Sequence, residues 1–325
     1  MKLIALEEAF AIPTLAARFP AMENVGNIPF SSEFTKRIAE RLPDFVEHRI
    51  PDMDRHGVDM QVLSLTVPGV QADLVPEDAL EVARSANDHL ASVVAEHPTR
   101  FAGLAAVPLQ DPAAGVAELR RAVSELGLRG ALVNDHTQGH YLDDERYEQF
   151  WSTLEELDVP LYIHPGAPKL DHWLVEEGYP ELAGATWSWA SEVGGHALRL
   201  VFGGVFDRHP NAHVILGHMG EFLPFMRSRL DSRYEAIDTG RTIKRRPSEY
   251  IGTNISITIS GVPSGATLAG AVQEIGADAI MFAIDYPYEY SELMTAGFAA
   301  ADLSDEDRQK ISHGTAERLL KLPTE

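Results

Sequence analysis

The stretch Val214-Ile-Leu-Gly-His-Met-Gly-Glu221 decides how the rest of the chain is read. Its branched-apolar run is continuous rather than alternating, the pattern of a parallel strand buried on both faces. The run stops abruptly on His218, and Glu221 follows three residues later. Residues 223–234 then carry helical periodicity. A titratable residue at the C-terminal edge of such a strand is where a (β/α)8 barrel places its chemistry. At this spacing His218 and Glu221 are close enough to share a proton. A lone strand-end histidine is more often a structural hydrogen-bonder, so the reading rests on what the other strand ends carry.

Working outward, apolar runs recur at residues 3–6, 61–65, 101–107, 130–133, 160–163, 212–216, 255–259 and 280–284, with helical patterns between them. Residues 31–56 read as helical, interrupted by Pro43 and Pro51. Pro76 opens a helix to Glu96 from a favoured first-turn position. Asp111 caps the next, with Pro112 at its first position, running to Glu125. Further helices are expected over 145–157, 191–206, 289–300 and 304–320. Eight strands alternating with helices predict a distorted (β/α)8 TIM barrel with insertions and C-terminal helices, in a single domain over residues 1–325. A doubly wound open sheet is the competitor, but Glu7-Glu8-Ala9-Phe10 stands where its glycine-rich phosphate loop would be. Two irregular segments, residues 11–30 with Pro13, Pro20 and Pro29, and 166–186 with Pro168, Gly178 and Pro180, are expected around the mouth.

Composition narrows the function. The chain has 325 residues, 45% of them apolar, no cysteine, and a formal net charge of −22. Lack of cysteine excludes disulfides and thiolate metal sites and fits a reducing compartment such as the cytoplasm. The first apolar stretch is too short for a signal peptide and meets Glu7 and Glu8, and no run reaches membrane length. Strong acidity argues against nucleic acid and anionic membrane as partners, because both demand a basic surface.

The C-terminal ends of the expected strands carry Glu7 and Glu8, Asn134 and Asp135, His164, His218 and Asp285. Strand alternation turns Glu8 away from Glu7, so only one of them faces the pocket. A barrel brings these ends to one mouth. Acids and imidazoles converging there suit a divalent cation with oxygen and nitrogen ligands, namely Zn, Mn or Mg. Each residue has a plainer alternative: a strand-1 acid can pair with an arginine, His164 can bond backbone, and Asp285 can cap a helix. Their coincidence at one mouth favours the metal.

Glu7-x-Ala9, His164-Pro165, His218-Met-Gly-Glu221 and Asp285-Tyr-Pro-Tyr-Glu resemble the amidohydrolase superfamily, in its branch of metal-dependent non-oxidative aromatic acid decarboxylases. That branch acts on substrates such as γ-resorcylate, 2,3-dihydroxybenzoate and 5-carboxyvanillate. The similarity also covers Ala5-Leu-Glu-Glu-Ala-Phe10, Leu109-Gln-Asp-Pro112, Gly130-Ala-Leu-Val-Asn134 and His196-Ala-Leu-Arg-Leu200. It implies Glu7, His164 and Asp285 as metal ligands, His218 and Glu221 as neighbouring catalytic groups, and a homodimer or homotetramer. Ala9 stands where the wider superfamily has a second ligand, and Asn134 where two-metal hydrolases have a bridging lysine. One divalent ion with an extra open position is therefore expected.

Direct loss of CO2 from an aromatic ring leaves an in-plane aryl carbanion that nothing delocalises. Protonating the ring carbon first avoids it, provided an ortho phenolate makes the ring electron-rich. Asp285 is the expected proton donor, tuned by His218 and Glu221. Arg229 resembles the family's contact to the substrate carboxylate, with pairing to Asp231 or Glu235 as its plain alternative. Asn134, Phe10 and Tyr288 are expected to touch the substrate, and Trp187, Trp189 and Tyr286 are further aromatic candidates. His196 reads as packing or support, and His136 and His140 either line the pocket or face solvent. The alternative activity is mononuclear metal-dependent hydrolysis of a lactone, ester or amide, with Asp285 deprotonating water.

Overall fold

A computed structural model of the chain describes residues 1–12, 30–166 and 174–324. Pro13, Pro20, Pro29 and Pro168 of the two expected mouth segments lie outside the described residues. The strands are β1 (Ile4–Phe10), β2 (Met60–Leu65), β3 (Phe101–Gly103), β4 (Ala105–Ala106), β5 (Ala131–Asn134), β6 (Leu161–His164), β7 (Val214–Leu216), β8 (Ile255–Thr258) and β9 (Ile280–Met281). All pair parallel, in the orders β1-β2-β3 and β4-β5-β6-β7-β8-β9.

Backbone bonds join the two sheets into one (β/α)8 barrel. β3 and β4 are halves of a single strand interrupted at Leu104, whose N–H still reaches the Leu63 carbonyl at 2.9 Å. Leu6 N–H donates to Phe282 O (3.1 Å) and Ala9 N–H to Tyr286 O (2.7 Å), tying the last strand's continuation to the first. The expected strand over 280–284 is thus shorter in sheet pairing. Its upper half is held by β1 instead.

Side chains fill the barrel in rows of period two. Ile4, Leu6, Met60, Val62, Leu132, Tyr162, Ile215 and Met281 form the inner core, closed at the bottom by Ala316, Leu320 and Leu322 of the C-terminal segment. The opposite row, including Ala5, Leu63, Val133, Ile163 and Leu216, packs outward against the helices. Two steps above Leu132 and Tyr162 the row turns polar with Asn134 and His164, and on β8 Ser256 and Thr258 continue it.

β1 breaks the alternation. Leu6 pairs with Val62 and Glu8 with Leu63, so Glu7 is an inserted bulge residue, at φ +96°. The bulge reverses parity beyond it. Glu7 turns into the barrel, while Glu8 and Phe10 align with the outward residues Leu63 and Leu65. Phe10, expected at the substrate, is for this reason in the outer core, against Phe45 and His89 at ring separations of 5.9 and 6.4 Å.

Helices follow the expected order with shifted bounds. The region after strand 1 is two helices, Ser32–Arg41 and Arg49–His56, and the helix expected over 191–206 is Ser188–Phe202 followed by Val205–Arg208. Among the described residues no helix is long and apolar enough to cross a membrane.

Candidate metal centre and active site

Glu7 is the hub. Its Oε2 accepts hydrogen bonds from Thr258 Oγ1 (3.0 Å) and Ser260 Oγ. Its buried Oε1 has no hydrogen-bond partner among the described residues. That atom lies 3.7 Å from His164 Nε2 and 3.4 Å from His218 Nε2. His218 Nε2 is in turn 3.8 Å from Asp285 Oδ2.

Ligand atoms of Glu7, His164 and Asp285 all stand within 4.8 Å of one another. Donors around a divalent ion, bonded at about 2.0–2.3 Å, are roughly 3–4 Å apart, so these three fit one. His164 Nδ1 is 2.9 Å from the Pro165 carbonyl, to which only an Nδ1–H can donate. Nε2 is left with its lone pair facing Glu7, the tautomer a metal requires. An orphaned buried carboxylate oxygen, a correctly disposed imidazole and a second carboxylate therefore suit a hard-to-borderline cation.

His218 and Glu221 meet by an unusual backbone route. His218, Met219, Gly220, Glu221 and Phe222 all have positive φ, from +48° to +65°. This is a left-handed helical turn, in which each non-glycine residue costs about 1–2 kcal/mol. The i, i+3 spacing then puts His218 Nδ1 2.9 Å from Glu221 Oε1. Compensating bonds run from Gly220 N–H to Gly217 O (2.6 Å) and from His218 N–H to Ser260 Oγ (2.9 Å). Gly220 is required because a Cβ there would overlap the Ile257 side chain. The helix expected over 223–234 begins only after this turn, as a short 3-10 segment Leu223–Met226 and then Arg227–Ala236.

The cluster is rich in acid. Burial raises the proton affinity of Asp285, and the Glu7 carboxylate adds to this while His218 opposes it. Burial also raises Glu221. His218 loses by burial, yet Glu7, Glu221 and Asp285 together hold its pKa well above the ordinary value. His164 is pushed down, chiefly by burial. Two buried carboxylates and a partly buried third, facing two imidazoles, are an arrangement that a cation relieves.

The other expected residues divide. Asn134 lies beside His164 in the sheet register, buried, with an unpartnered Oδ1 among the described residues. Tyr288 bonds Thr66 Oγ1 through its hydroxyl (2.5 Å) and Asp285 O through its N–H (2.8 Å), so it stands at the mouth. Trp189 is 6.5 Å from the His164 ring, whereas Trp187 is half exposed and Tyr286 is buried against Arg49. Arg229 is exposed on Arg227–Ala236, and no bond within the described chain joins its guanidinium to the cluster. Its expected alternative partners are engaged elsewhere, Asp231 by Ser248 and Glu235 by Arg246.

A second acid–imidazole group, Asp135, His136 and Glu192, is tight enough for an ion on distance alone. Its tautomer argues otherwise. Gly139 N–H donates to His136 Nδ1 (3.2 Å), so the neutral ring carries its proton on Nε2 and presents a donor, not a ligand. His196 is fixed the same way: Leu142 N–H donates to Nε2 (3.0 Å), and Nδ1–H donates to Asp135 (2.7 Å). His196 is thus a support, as its sequence context predicts.

Thr258 and Ser260 escaped the sequence reading. Their signal was present in Ser256-Ile-Thr-Ile-Ser260, whose alternation marks one polar, barrel-facing row.

The chain is similar to known proteins over nearly its whole length. Residues 16–322 match the family model described as amidohydrolase. A γ-resorcylate decarboxylase of Rhizobium sp. is 42% identical over 327 residues, covering 98% of each chain. A crystal structure of 2,6-dihydroxybenzoate decarboxylase complexed with 2,6-dihydroxybenzoate is similar at TM-score 0.91 and 41% identity, over 99% of this chain and 100% of that one. So is a dihydroxybenzoic acid decarboxylase from Polaromonas sp. with bound manganese and the inhibitor 2-nitroresorcinol, at 0.90 and 40%, over 99% and 97%.

Proposed function

The chain belongs to the amidohydrolase family, and from that premise we propose that it is a carboxy-lyase, decarboxylating ortho-hydroxylated aromatic acids without oxidation and with the help of one divalent metal ion. The observation that carries the proposal is the convergence of Glu7, His164 and Asp285 around an orphaned carboxylate oxygen, with His218, itself held by Glu221, against the Glu7 and Asp285 oxygens. Glu7, His164 and Asp285 would hold the ion, which supplies positive charge to fix a phenolate and a neighbouring carboxylate oxygen. Manganese in a relative at 40% identity supports Mn among the Zn, Mn and Mg options.

The chain's own groups supply the proton. Asp285, protonated, delivers it to the ring carbon bearing the carboxylate; the bond to CO2 then breaks and its electron pair restores the aromatic ring. One proton is consumed per turnover and returns to Asp285 from solvent. His218, fixed by Glu221, steers that proton. Thr258 and Ser260 keep Glu7 turned inward. Asn134 and Tyr288 touch the substrate. The Ala9 position leaves room for a chelating acid, which favours this reading over ester, lactone or amide hydrolysis.

We further propose one domain, a cytoplasmic location and a homodimer or homotetramer. Exposed Phe222, Phe225 and Met226, on the flank that also carries Arg229, support the assembly, since a second copy would cover them. CO2 release from a panel of hydroxybenzoates, with and without chelator, tests the activity. Ester turnover without CO2 would replace it by the hydrolase, and turnover indifferent to chelation would remove the metal.

A further inference from the structure

Beyond that reading, and resting on its placement of Asp285 at the metal, we propose that Glu8 is the positioning residue that aims Asp285. The carboxylate of Glu8 straddles it: Oε1 accepts from Ile284 N–H at 2.9 Å and Oε2 from Tyr286 N–H at 2.9 Å. Asp285 sits between these two amides in the left-handed region, at φ +74°. Ile284 and Tyr286 are buried and lie beyond the end of β9, where among the described residues no strand partner serves their N–H groups. Buried amides require an acceptor, and one fully buried carboxylate serves both. Ala9 N–H, next along β1, fixes Tyr286 O at 2.7 Å, so the strand-1 backbone and the Glu8 side chain grip the same turn.

The bulge makes this possible. It gives two adjacent glutamates different directions, Glu7 into the barrel and Glu8 across to the last strand. Behind the clamp lies Arg49, itself fully buried and bonded to Gln61 (3.0 Å) and to the Asp44 carbonyl (3.1 Å). Burial pushes the Glu8 carboxyl up to about 8, against the two amide hydrogen bonds and then the Arg49 charge, which pull it back down. Glu8 touches neither ion nor substrate. It acts through Asp285.

The test is Mn2+ affinity of the metal-stripped full chain, measured calorimetrically for Glu8→Gln, Glu8→Asp, Asp285→Asn and Glu118→Gln. Glu8→Gln turns an amide NH2 toward one of the two N–H groups, so affinity should fall tenfold to hundredfold, the range for groups supporting a metal ligand. Glu8→Asp keeps the carboxyl group but is one methylene shorter, and should fall in the same direction if the glutamine variant does not fold. Glu118 is an equally buried carboxylate bonded to Asn87 and Arg121; its variant should bind Mn2+ like wild type. Wild-type affinity in folded Glu8 variants, with Asp285→Asn impaired, overturns the clamp and leaves the site intact. Wild-type affinity in Asp285→Asn overturns both.

Discussion

Replacing Gly217 by alanine probes the Glu7 carboxylate without touching a charge or a hydrogen bond. Gly217 has φ −73°, open to any residue, so alanine brings no backbone strain. Its Cβ, however, would stand 2.5 Å from Glu7 Oε1 and 2.8 Å from Oε2. Ordinary van der Waals contact begins near 3.4 Å, so the carboxylate must retreat by ~0.9 Å or the strand must give. Glu7 is 1% exposed and its Oε2 is held by Thr258 and Ser260, so the motion has nowhere to dissipate. Overpacking of this kind costs about 1–3 kcal/mol of stability. A displacement approaching 1 Å at a reacting centre costs on the order of 10²-fold in rate. Expected, then, are a loss of kcat near a hundredfold for CO2 release and weaker Mn2+ binding by calorimetry. Gly195→Ala is the control: its Cβ meets nothing within 4 Å on the helix Ser188–Phe202, so turnover should be unchanged. Wild-type kcat and Mn2+ affinity in Gly217→Ala would mean that Glu7 is not the hub.

Three further outcomes are expected. His218→Ala should still bind substrate but lose about 10²- to 10⁴-fold in kcat, the span for a positioned proton-transfer group; a near-normal rate would make His218 structural. Ser260→Ala removes both a donor to Glu7 and the acceptor of His218 N–H, so Mn2+ affinity should drop about tenfold, and an unchanged binding isotherm would assign Ser260 to packing alone. Burial and then Arg318 push His213, bonded to Ser256 at the barrel's other end, down to about 4. Its folded pKa lies below the unfolded value near 6.5, so its contribution is complete above that pH and is lost as pH falls toward 4. Urea unfolding should show wild type losing about 2 kcal/mol more than His213→Gln between pH 7 and pH 4.5, and equal losses would show that His213 charges freely when folded.

The barrel was legible because buried parallel strands leave a plain trace, continuous apolar runs ending on titratable residues. His164, His218 and Asp285 could be placed from that trace alone. Glu7 against Glu8 could not be resolved by alternation, because a bulge inserts a residue without any change in polarity pattern, and the same parity flip carried Phe10 outward. The 218–222 turn was hidden for another reason. Left-handed φ is disfavoured for His, Met, Glu and Phe, and is enforced here by the compensating bonds to Gly217 and Ser260, so local propensity points to a right-handed helix. Glu8 as acceptor for Ile284 and Tyr286 is a contact across 276 and 278 residues of sequence, and no local window reports it.

The most direct measurement is anomalous scattering at the manganese edge from crystals of the Mn2+-loaded chain with 2,6-dihydroxybenzoate. One strong peak is expected, bounded by Glu7 Oε1, His164 Nε2 and the Asp285 carboxylate, with the acid's phenolate and carboxylate oxygens on its open side. A peak between Asp135, His136 and Glu192, or none near Glu7, would contradict this expectation.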